Sequence, residues 1–316
     1  MPVLGSVVEA IGRTPLVALD RLGAGLPGRI LLKLEYLNPG ASMKDRIGLR
    51  IVESAEMSGR LKPGDTIVEL TSGNTGIGLA IVCAIKGYRL IAVLSEGNSP
   101  ERRRMLRALG AEVELVPQAP DSVKGLVSGV DLALVEARAV ELTANLGAFR
   151  ADQFNNADNA LAHELTTGPE IWEDTGGRVD AFCVIVGTAG TFVGVSRALK
   201  ARDPRIRAYA VEPAGASVLA GRPVTSPSHR LQGAGYALIP PLWDPALCDG
   251  CLGIGDDEAI EVTRELARRE AIFVGPSTGA NVAAALRLAR ESPPGGTVVT
   301  IASDSGMKYL SSDLFA

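Results

Sequence analysis

Short apolar runs alternate with longer amphipathic segments along most of the chain. Apolar stretches of about four to eight residues predict strands. The segments between them place apolar residues at helical spacing, and several end at glycine, as at Gly87 and Gly110. The predicted strands are 29–34, 66–70, 89–94, 112–116, 179–186, 206–211, 271–274 and 297–302, and the predicted helices are 44–58, 77–86, 100–109, 130–146, 157–174, 191–201, 256–269 and 278–290.

One long segment, 213–255, breaks this alternation. It holds five prolines between residues 223 and 245 and shows no clear helical or strand period. Loops of this length inside a compact domain usually serve the function or contain elements that periodicity does not reveal. Elsewhere the strands are apolar throughout, which is typical of parallel sheets buried on both faces. The pattern therefore predicts an α/β fold with mostly parallel sheets covered by helices.

The composition is that of a globular protein that acts on small molecules. With 316 residues and 46% apolar content, the chain can form two domains or one large one. Its net charge of -4 and pI near 5.4 exclude a general basic field for nucleic acid or an anionic membrane. The sequence has no long apolar run and no signal-peptide pattern, so we expect a cytoplasmic protein without nucleic-acid or membrane partners.

The four cysteines do not suggest a disulfide framework. Cys83 and Cys183 lie in apolar runs, which predicts buried thiols. The stretch Cys248-Asp-Gly-Cys251 has the spacing of a redox pair or of half a zinc site. A second pair and a neighbouring histidine are both missing from the sequence, and Asp-Gly is typical of a turn, so we favour a structural turn.

The two histidines, His163 and His229, are not predicted to be catalysts or ligands. His163 lies within a predicted helix and His229 lies in a loop rich in proline and serine. Histidine is a frequent acid-base residue in enzymes, but neither one has a partner in the pattern. We expect structural roles for both, and no metal site.

Lys44 occupies the most distinctive position for chemistry. It follows the turn Asn38-Pro-Gly-Ala-Ser and begins a predicted helix. An amine without full hydration near a helix N-terminus titrates low, and a neutral amine can form a Schiff base with an aldehyde and then act as a base. The alternative is an ordinary lysine of the first helical turn.

Three loops between strands and helices carry the remaining candidate chemistry. The loop 71–76, Thr-Ser-Gly-Asn-Thr-Gly, offers hydroxyl, amide and backbone donors suited to a carboxylate or phosphate. The loop 187–191, Gly-Thr-Ala-Gly-Thr, suits a phosphate monoester, and Ser277 lies in a third such loop. Each loop could instead be a helix cap. Together with Lys44, however, they supply what pyridoxal 5'-phosphate needs.

Several motifs occur in the order typical of one family. They are Ser42-Met-Lys44-Asp-Arg46, the loop 71–76, Gln153-Phe-Asn-Asn156, Thr167-Gly-Pro-Glu-Ile-Trp172, the loop 187–191 and Gly275-Pro-Ser-Thr-Gly-Ala280. Over essentially its whole length the chain resembles the fold-type II pyridoxal phosphate enzymes of the cysteine synthase (O-acetylserine sulfhydrylase) and cystathionine β-synthase group. This resemblance implies a two-domain fold like that of tryptophan synthase β. The small domain would span 38–150, the larger domain 1–37 and 151–316, and the cofactor would lie in the cleft between them.

The resemblance also implies a role for each motif residue. Lys44 would bind the cofactor covalently and act as the catalytic base, while Asn74 would contact the ring hydroxyl and Ser277 the ring nitrogen. The phosphate would be held by Gly187, Thr188, Ala189, Gly190 and Thr191. The substrate would be bound by Thr71, Ser72, Gly73, Thr75 and Gln153, and bordered by Gly233 and Gly235.

The reaction implied by the resemblance is β-replacement on O-acetyl-L-serine or a similar activated serine. A neutral hydroxyl such as that of Ser277 leaves the cofactor ring a weaker electron sink than a carboxylate would, which favours β-elimination to an aminoacrylate. Sulfide would then add and give L-cysteine. A homodimer and binding to the tail of a serine acetyltransferase are further implications.

Two alternatives stay open at this point. The first is a specialised β-substituted alanine synthase that uses another nucleophile or donor, with 213–255 as the deciding segment. The second is a non-catalytic regulatory protein that binds the cofactor. A serine or threonine dehydratase fits less well, because those relatives carry a different loop in place of 71–74.

One substitution in the phosphate loop leads to a conformational prediction. Ala189 stands where the family has glycine, and an alanine is tolerated there without strain only at negative φ. We therefore expect negative φ at Ala189. In the third loop, Pro276 fixes the backbone just before Ser277.

Overall fold

The computed structural model describes residues 3–315, whose strands form two separate sheets. The strands are β1 Leu16–Ala18, β2 Arg29–Lys33, β3 Thr66–Leu70, β4 Arg89–Ser95, β5 Glu112–Val116, β6 Phe149–Arg150, β7 Ala181–Ile185, β8 Arg207–Pro213, β9 Gly250–Ile254 and β10 Thr297–Ile301. The helices are α1 Lys44–Met57, α2 Asn74–Lys86, α3 Pro100–Ala108, α4 Gly129–Leu146, α5 Asp158–Ala162, α6 Gly168–Asp174, α7 Gly190–Lys200, α8 Asp256–Glu270 and α9 Pro276–Glu291.

The larger sheet has the order β1-β2-β10-β7-β8-β9, and the smaller sheet has the order β5-β4-β3-β6. Within residues 3–315, every pairing between these strands is parallel except that of β1 with β2. The predicted α/β fold with mostly parallel sheets is therefore confirmed. Among the described helices, none has the length and apolar character needed to cross a bilayer.

Alternate residues of the central strands pack into different cores. In β10, Val298 joins the cluster that contains Leu32, whereas its neighbour Val299 joins the cluster on the opposite face. In the smaller sheet, Ile67 and Val68 separate in the same way. Burial on both faces explains why these strands are apolar throughout. It also leaves the carboxyl ends of the strands as the place where polar loops can gather.

Two predictions about elements are wrong. The apolar stretch 271–274 is not a strand, because Ala271 ends α8 in the left-handed conformation and only Val274 forms an isolated bridge, with Ser305. In the segment 213–255, the unpredicted strand β9 pairs with β8 at the edge of the larger sheet. Its glycines, Gly250 and Gly253, weaken the strand pattern in the sequence.

The predicted helix 157–174 is divided into α5, one π-helical turn over His163–Thr167, and α6. Pro169 has no N–H to donate and lies just after this turn. The wider π-helical turn allows the chain to pass the proline without a break. It also turns His163 into the interior, where it is fully buried.

Candidate active site

A cavity lies between loops of the two sheets. Most of the predicted site residues line it, including Lys44, Asn74, Thr188 and Ser277. The three predicted residues outside the lining are the glycines Gly73, Gly190 and Gly235. The folding of the chain thus brings together side chains from widely separated loops. Their roles toward a cofactor or substrate remain predictions.

Lys44 is the first residue of α1 and lines the cavity. Its backbone N–H donates to the Ser42 hydroxyl over 3.3 Å, so the helix start is capped by the preceding turn. Burial lowers the pKa of the Lys44 amine to about 8, and the nearby Asp304 carboxylate opposes part of that shift. About a tenth of Lys44 is therefore neutral at pH 7, far more than for an ordinary lysine, and the neutral form is the one that can act as a nucleophile or a base.

The loop after β3 is held by its own side chains. The Thr71 hydroxyl accepts from the N–H groups of Gly73 and Gly76, at 2.9 and 3.0 Å. Thr75 donates to the Gln153 side-chain oxygen over 2.6 Å, and the Gln153 amide donates to the Leu70 carbonyl over 2.9 Å. These contacts fix the loop at the N-terminus of α2, which begins three residues earlier than predicted.

The Ser72 hydroxyl contacts Tyr236, which also lines the cavity. Its oxygen lies 3.0 Å from the Tyr236 hydroxyl. Tyr236 follows the predicted substrate-bordering glycines, Gly233 and Gly235, and its ring packs against Phe154 with centroids 6.1 Å apart. Sequence analysis missed Tyr236, although its position next to the two glycines was a usable signal.

Ala189 contradicts the conformational prediction, because its φ is +69°. The chain needs a left-handed residue there to turn from the end of β7 into α7, for which Ala189 is the N-cap. An L-residue in this region costs roughly 1–2 kcal/mol. Its methyl group is buried in the apolar cluster around Phe192, which offsets part of that cost.

The backbone of the loop 187–191 forms a tight cradle. A Cβ added at Gly187 would lie 2.5 Å from the Gly233 carbonyl oxygen, and one at Gly190 would lie 2.0 Å from the Asn159 side-chain oxygen. Asn159 donates to the Thr188 hydroxyl over 2.8 Å, and its own buried oxygen has no hydrogen-bond partner in the described part of the chain. The Thr188 hydroxyl and the N-terminus of α7 fit an anionic group that accepts hydrogen bonds. The Asn159 oxygen, itself an acceptor, is not part of this fit.

His163 contacts Thr191, the last residue of the loop 187–191. Its Nε2 lies 3.1 Å from the Thr191 hydroxyl, and its Nδ1 lies 2.8 Å from that of Thr167. Burial, together with the positive charges of Lys44 and Arg46, holds its pKa well below the usual value. His163 is therefore neutral and contacts a candidate site residue, Thr191. Its structural role stays a prediction.

Ser277 lies in the first turn of α9, which begins at Pro276 and thus earlier than predicted. Proline is favoured at the first helical position because its fixed φ suits the helix and its missing N–H is not needed there. His229 contacts the rim of the cavity: its Nε2 lies 2.7 Å from the Gly235 carbonyl oxygen. The predicted structural role of His229 thus takes the form of a brace for the loop 232–236.

The Cys248–Cys251 pair lies at the outer edge of the larger sheet. Its two sulfur atoms are 3.8 Å apart, and Cys251 belongs to β9, so the stretch is only partly a turn. The hydrogen bond from Cys251 lowers the pKa of the Cys248 thiol to about 6. Within residues 3–315, no group of three or more metal-ligating side chains is found.

Asp304 and Lys308 lie outside the cavity lining but contact Asn74, which lines it, and neither was predicted from the sequence. Both are fully buried in the segment after β10. The Asp304 carboxylate accepts from the Asn74 amide over 2.8 Å, and the Lys308 amine donates to the Asn74 oxygen over 2.8 Å. No signal in the local sequence singles them out, because only the fold brings them beside Asn74.

Comparison with known proteins identifies the family. Residues 7–304 match the family described as pyridoxal-phosphate dependent enzyme. The chain belongs to this family. The predicted cofactor, pyridoxal phosphate, is thereby confirmed, and so is the interpretation of the chain as an enzyme that depends on it.

Individual relatives within the pyridoxal-phosphate dependent enzymes are similar over nearly the whole chain. A cysteine synthase of Staphylococcus aureus (strain N315) is 43% identical over 312 residues, which covers 98% of this chain and 97% of the relative. The crystal structure of a cysteine synthase from Entamoeba histolytica has a TM-score of 0.90 and 38% identity, and covers 99% of this chain and 91% of that one. These matches confirm the resemblance to the cysteine synthase group.

A third relative has a different printed activity. The crystal structure of an O-ureido-L-serine synthase also has a TM-score of 0.90, with 41% identity, and covers 99% of this chain and 96% of that one. Overall similarity therefore does not separate the two activities. The choice of nucleophile has to be argued from the site.

Proposed function

We propose that the protein is a cysteine synthase that replaces the acetate of O-acetyl-L-serine by sulfide and releases L-cysteine. The observation that carries this proposal is the convergence of Lys44, Asn74, the loop 187–191 and Ser277 on one cavity. The pKa of about 8 at Lys44 supports it, because the reaction needs a partly neutral amine at this position. The 43% identity to a cysteine synthase gives independent support.

The residues present fit pyridoxal phosphate. The loop 187–191 and the N-terminus of α7 would hold the phosphate through backbone N–H groups, in a cradle too narrow for larger residues at Gly187 and Gly190. Asn74 would contact the ring oxygen and Ser277 the ring nitrogen. When bound, the cofactor supplies an electron-withdrawing system that acidifies the α-proton of an amino acid.

The protein's own groups would then position the substrate and move its protons. The loop after β3 would bind the substrate carboxylate through the donors of Thr71, Ser72, Gly73 and Thr75, with Gln153 bracing Thr75. Lys44 would take the α-proton in its neutral form and return a proton at the end of the cycle. Gly233 and Gly235 would border the β-carbon, where acetate leaves and sulfide enters.

The test is a direct assay of the purified holoenzyme with O-acetyl-L-serine and sulfide. Stoichiometric formation of acetate and L-cysteine would support the proposal. Release of acetate without cysteine would show that the activated serine is correct and that sulfide is the wrong nucleophile. An absence of acetate release from a protein that holds its cofactor would favour a wrong donor or the regulatory alternative.

A second candidate is a specialised synthase with a larger, polar nucleophile. The hydroxyl pair of Ser72 and Tyr236 favours it, because these groups can hydrogen-bond a nucleophile that carries N–H or C=O groups. The similarity to an O-ureido-L-serine synthase adds support. Competition between sulfide and hydroxyurea for the same activated serine distinguishes the candidates, and preferential formation of the O-ureido product would favour the second.

The proposal also covers the division of the chain into domains, its assembly with other chains and its location in the cell. We propose a small domain over 38–150, a larger domain over 1–37 and 151–316 with the cofactor in the cleft between them, and a cytoplasmic homodimer that binds the tail of a serine acetyltransferase. The two separate sheets support the division, because the smaller sheet lies entirely within 66–150. Light scattering on the holoenzyme would test the dimer, and titration with a synthetic tail peptide would test the partner.

A further inference from the structure

Two buried charged residues hold the side chain of Asn74 between them. Lys308 donates from its amine to the Asn74 oxygen over 2.8 Å and to the Gly40 carbonyl over 2.7 Å. On the other side, the Asn74 nitrogen donates to Asp304 over 2.8 Å. Both charged residues lie just after β10, whereas Asn74 begins α2 beside the smaller sheet.

The chemistry of these partners allows only one orientation of the Asn74 amide. An ammonium group can only donate and a carboxylate can only accept, so the amide oxygen has to face Lys308 and the nitrogen has to face Asp304. The amide nitrogen carries two protons, of which Asp304 takes one. The second N–H is left for an acceptor, and Asn74 lines the cavity.

The surroundings of Asp304 make this arrangement rigid. Tyr309 donates to the same Asp304 oxygen over 2.9 Å, and Arg102 donates to the Tyr309 hydroxyl over 2.8 Å. Lys308, Asp304 and Arg102 are each only 1% exposed. Well-packed apolar residues would often stabilise a fold as well as buried ionic groups do. Stability alone therefore does not explain these buried charges, whereas orientation of the Asn74 amide does.

We propose that Lys308 and Asp304 are positioning residues that fix the Asn74 amide as a hydrogen-bond donor to the ring oxygen of pyridoxal phosphate, and thereby set the absorption and the affinity of the bound cofactor. Neither residue touches the cofactor in this scheme. Lys308 acts through Asn74, whereas Asp304 acts through Asn74 and also through its charge on Lys44. The inference rests on the proposed contact between Asn74 and the ring oxygen. It does not depend on which nucleophile the enzyme uses.

The experiment compares Lys308→Met, Asp304→Asn and Asn74→Ala holoenzymes with the unsubstituted protein. The readouts are the position of the long-wavelength cofactor band, its dependence on pH, and the dissociation constant of the cofactor. Lys308→Met should displace the band and weaken cofactor binding by about tenfold, the equivalent of one lost hydrogen bond to a charged group. In the Asn74→Ala background, Lys308→Met should cause no further change in the band position, its pH dependence or the dissociation constant of the cofactor.

Lys33→Met is the matched control. Lys33 is also a fully buried lysine, but it is paired with Glu170 at 3.0 Å and Asp174 at 2.9 Å and makes no contact with Asn74. Its loss should lower stability while leaving the cofactor band and its pH dependence unchanged. A purely structural role for Lys308 predicts the same pattern for Lys308→Met as for this control.

Two results would overturn the inference. The first is an unchanged band and affinity in both Lys308→Met and Asp304→Asn. The second is an equal effect of Lys308→Met with and without Asn74, since the effect would then not pass through the amide. If Lys308→Met does not fold, Asp304→Asn, which keeps the shape of the side chain, is compared with and without Asn74→Ala, and only the part of its effect that requires Asn74 counts, since the lost charge also acts on Lys44. Failure to make cysteine would reject the proposed function and leave these spectroscopic outcomes readable.

Discussion

Lys44 is buried, and the Asp304 carboxylate lies close enough to affect its pKa. Burial disfavours the ammonium form and Asp304 favours it, and the balance leaves a pKa of about 8. Without the carboxylate the amine would be neutral over a wider pH range. With a closer ion pair it would be protonated and unable to react. Near pH 8, Lys44 is thus present both as the neutral amine, which is a nucleophile, and as the ammonium, which is an acid.

This balance predicts the pH dependence of Lys44 in the cofactor-free protein. Because only the neutral amine reacts, labelling by a small amine-reactive reagent should rise with pH and reach half its maximum near pH 8, the pKa of Lys44. Asp304→Asn removes the attraction that raises this pKa, so the midpoint should move to lower pH. Mass spectrometry of the labelled peptide measures both, and a midpoint that rises in Asp304→Asn would contradict the assignment.

Ala189 is the residue where the backbone departs most from its sequence preference. Ala189→Gly removes strain of roughly 1–2 kcal/mol, but it also loses a buried methyl worth about 0.8 kcal/mol and makes the unfolded chain more flexible by about 0.4–1 kcal/mol. We expect a free energy of unfolding within about 1 kcal/mol of the original. Urea denaturation checks this expectation.

The matched variant for that position is Ala189→Val. A β-branched residue is a strong outlier at a φ of +69°, so the free energy of unfolding should fall by more than about 2 kcal/mol. If valine is tolerated as well as glycine, then the loop does not keep the left-handed turn in solution.

The site residues that could be predicted from sequence all lie in loops with distinctive local composition. Lys44, Asn74 and Ser277 each follow a short turn and open a helix, so their chemistry shows in a few neighbouring residues. Lys308 and Asp304 could not be predicted in this way. They reach Asn74 across 234 and 230 residues of chain, and only the three-dimensional fold brings them together.

Two glycines of helix α7 lie at different contacts: Gly190 lies at the candidate phosphate loop, and Gly194 lies at a packing contact. A Cβ at Gly190 would lie 2.0 Å from the Asn159 oxygen, beneath the candidate phosphate loop. A Cβ at Gly194, one turn later, would lie 2.1 Å from the Ala160 carbonyl oxygen, at the contact with α5. Both substitutions to alanine overpack, but only the first lies at the candidate site.

Gly190→Ala should therefore lower stability and cofactor affinity together. Moving Asn159 breaks its hydrogen bonds to Thr188 and the Gln153 carbonyl, each worth about 1 kcal/mol, in addition to about 1–3 kcal/mol for overpacking. We expect a loss of about 3–5 kcal/mol in the free energy of unfolding and at least a tenfold larger dissociation constant for the cofactor.

Gly194→Ala is the control, and denaturation and cofactor titration are the measurements. It should lose stability by a similar mechanism with less than about threefold change in cofactor affinity, since a Cβ at Gly194 would meet Ala160 of α5 and the backbone and Cβ of the π-helical turn at Glu164 and His163 rather than the loop itself. Equal losses of affinity in the two variants would mean that α7 moves as a whole, and the cradle argument would fail.

At the same scale, the errors in element prediction have local physical causes. The stretch 271–274 is apolar enough for a strand, but its first residue, Ala271, is the left-handed C-cap of α8, and only Val274 forms a bridge. Strand β9 is the opposite case, because pairing with β8 overrides a sequence with two glycines. Pairing with other strands decided both outcomes. The sequence of a single segment does not show which strand it will pair with.

Besides the hydrogen bonds of Asn74 and Ser72, two kinds of contact connect the parts of the molecule that carry the two sheets. The first is ionic: Arg46 of α1 binds Glu35 over 2.7 Å and Glu170 of α6 over 2.6 Å. Burial alone would raise the pKa of the Glu170 carboxyl, but Arg46 and Lys33 hold it below its usual value, so the network stays charged at neutral pH. The second kind of contact is the proposed cofactor itself.

Removal of the cofactor should consequently loosen loops on both sides of the cavity at once. The proposed contacts are Lys44 and Asn74 on the side of the smaller sheet and the loop 187–191 and Ser277 on the other. A ligand present at a hundred times its dissociation constant stabilises a protein by about 2.7 kcal/mol, so the cofactor-free form should lose at least about that much. Hydrogen exchange should accelerate in 71–76 and in 187–191.

The ionic network around Arg46 does not involve the cofactor, so its surroundings should keep their protection, as should the buried strand β10. This difference separates local loosening from global unfolding. Faster exchange in only one of the two loops would mean that the cofactor contacts only one side, and the proposed set of binding residues would then be wrong. Faster exchange throughout β10 would instead mean that the cofactor is part of the folding core rather than a bridge between two preformed parts.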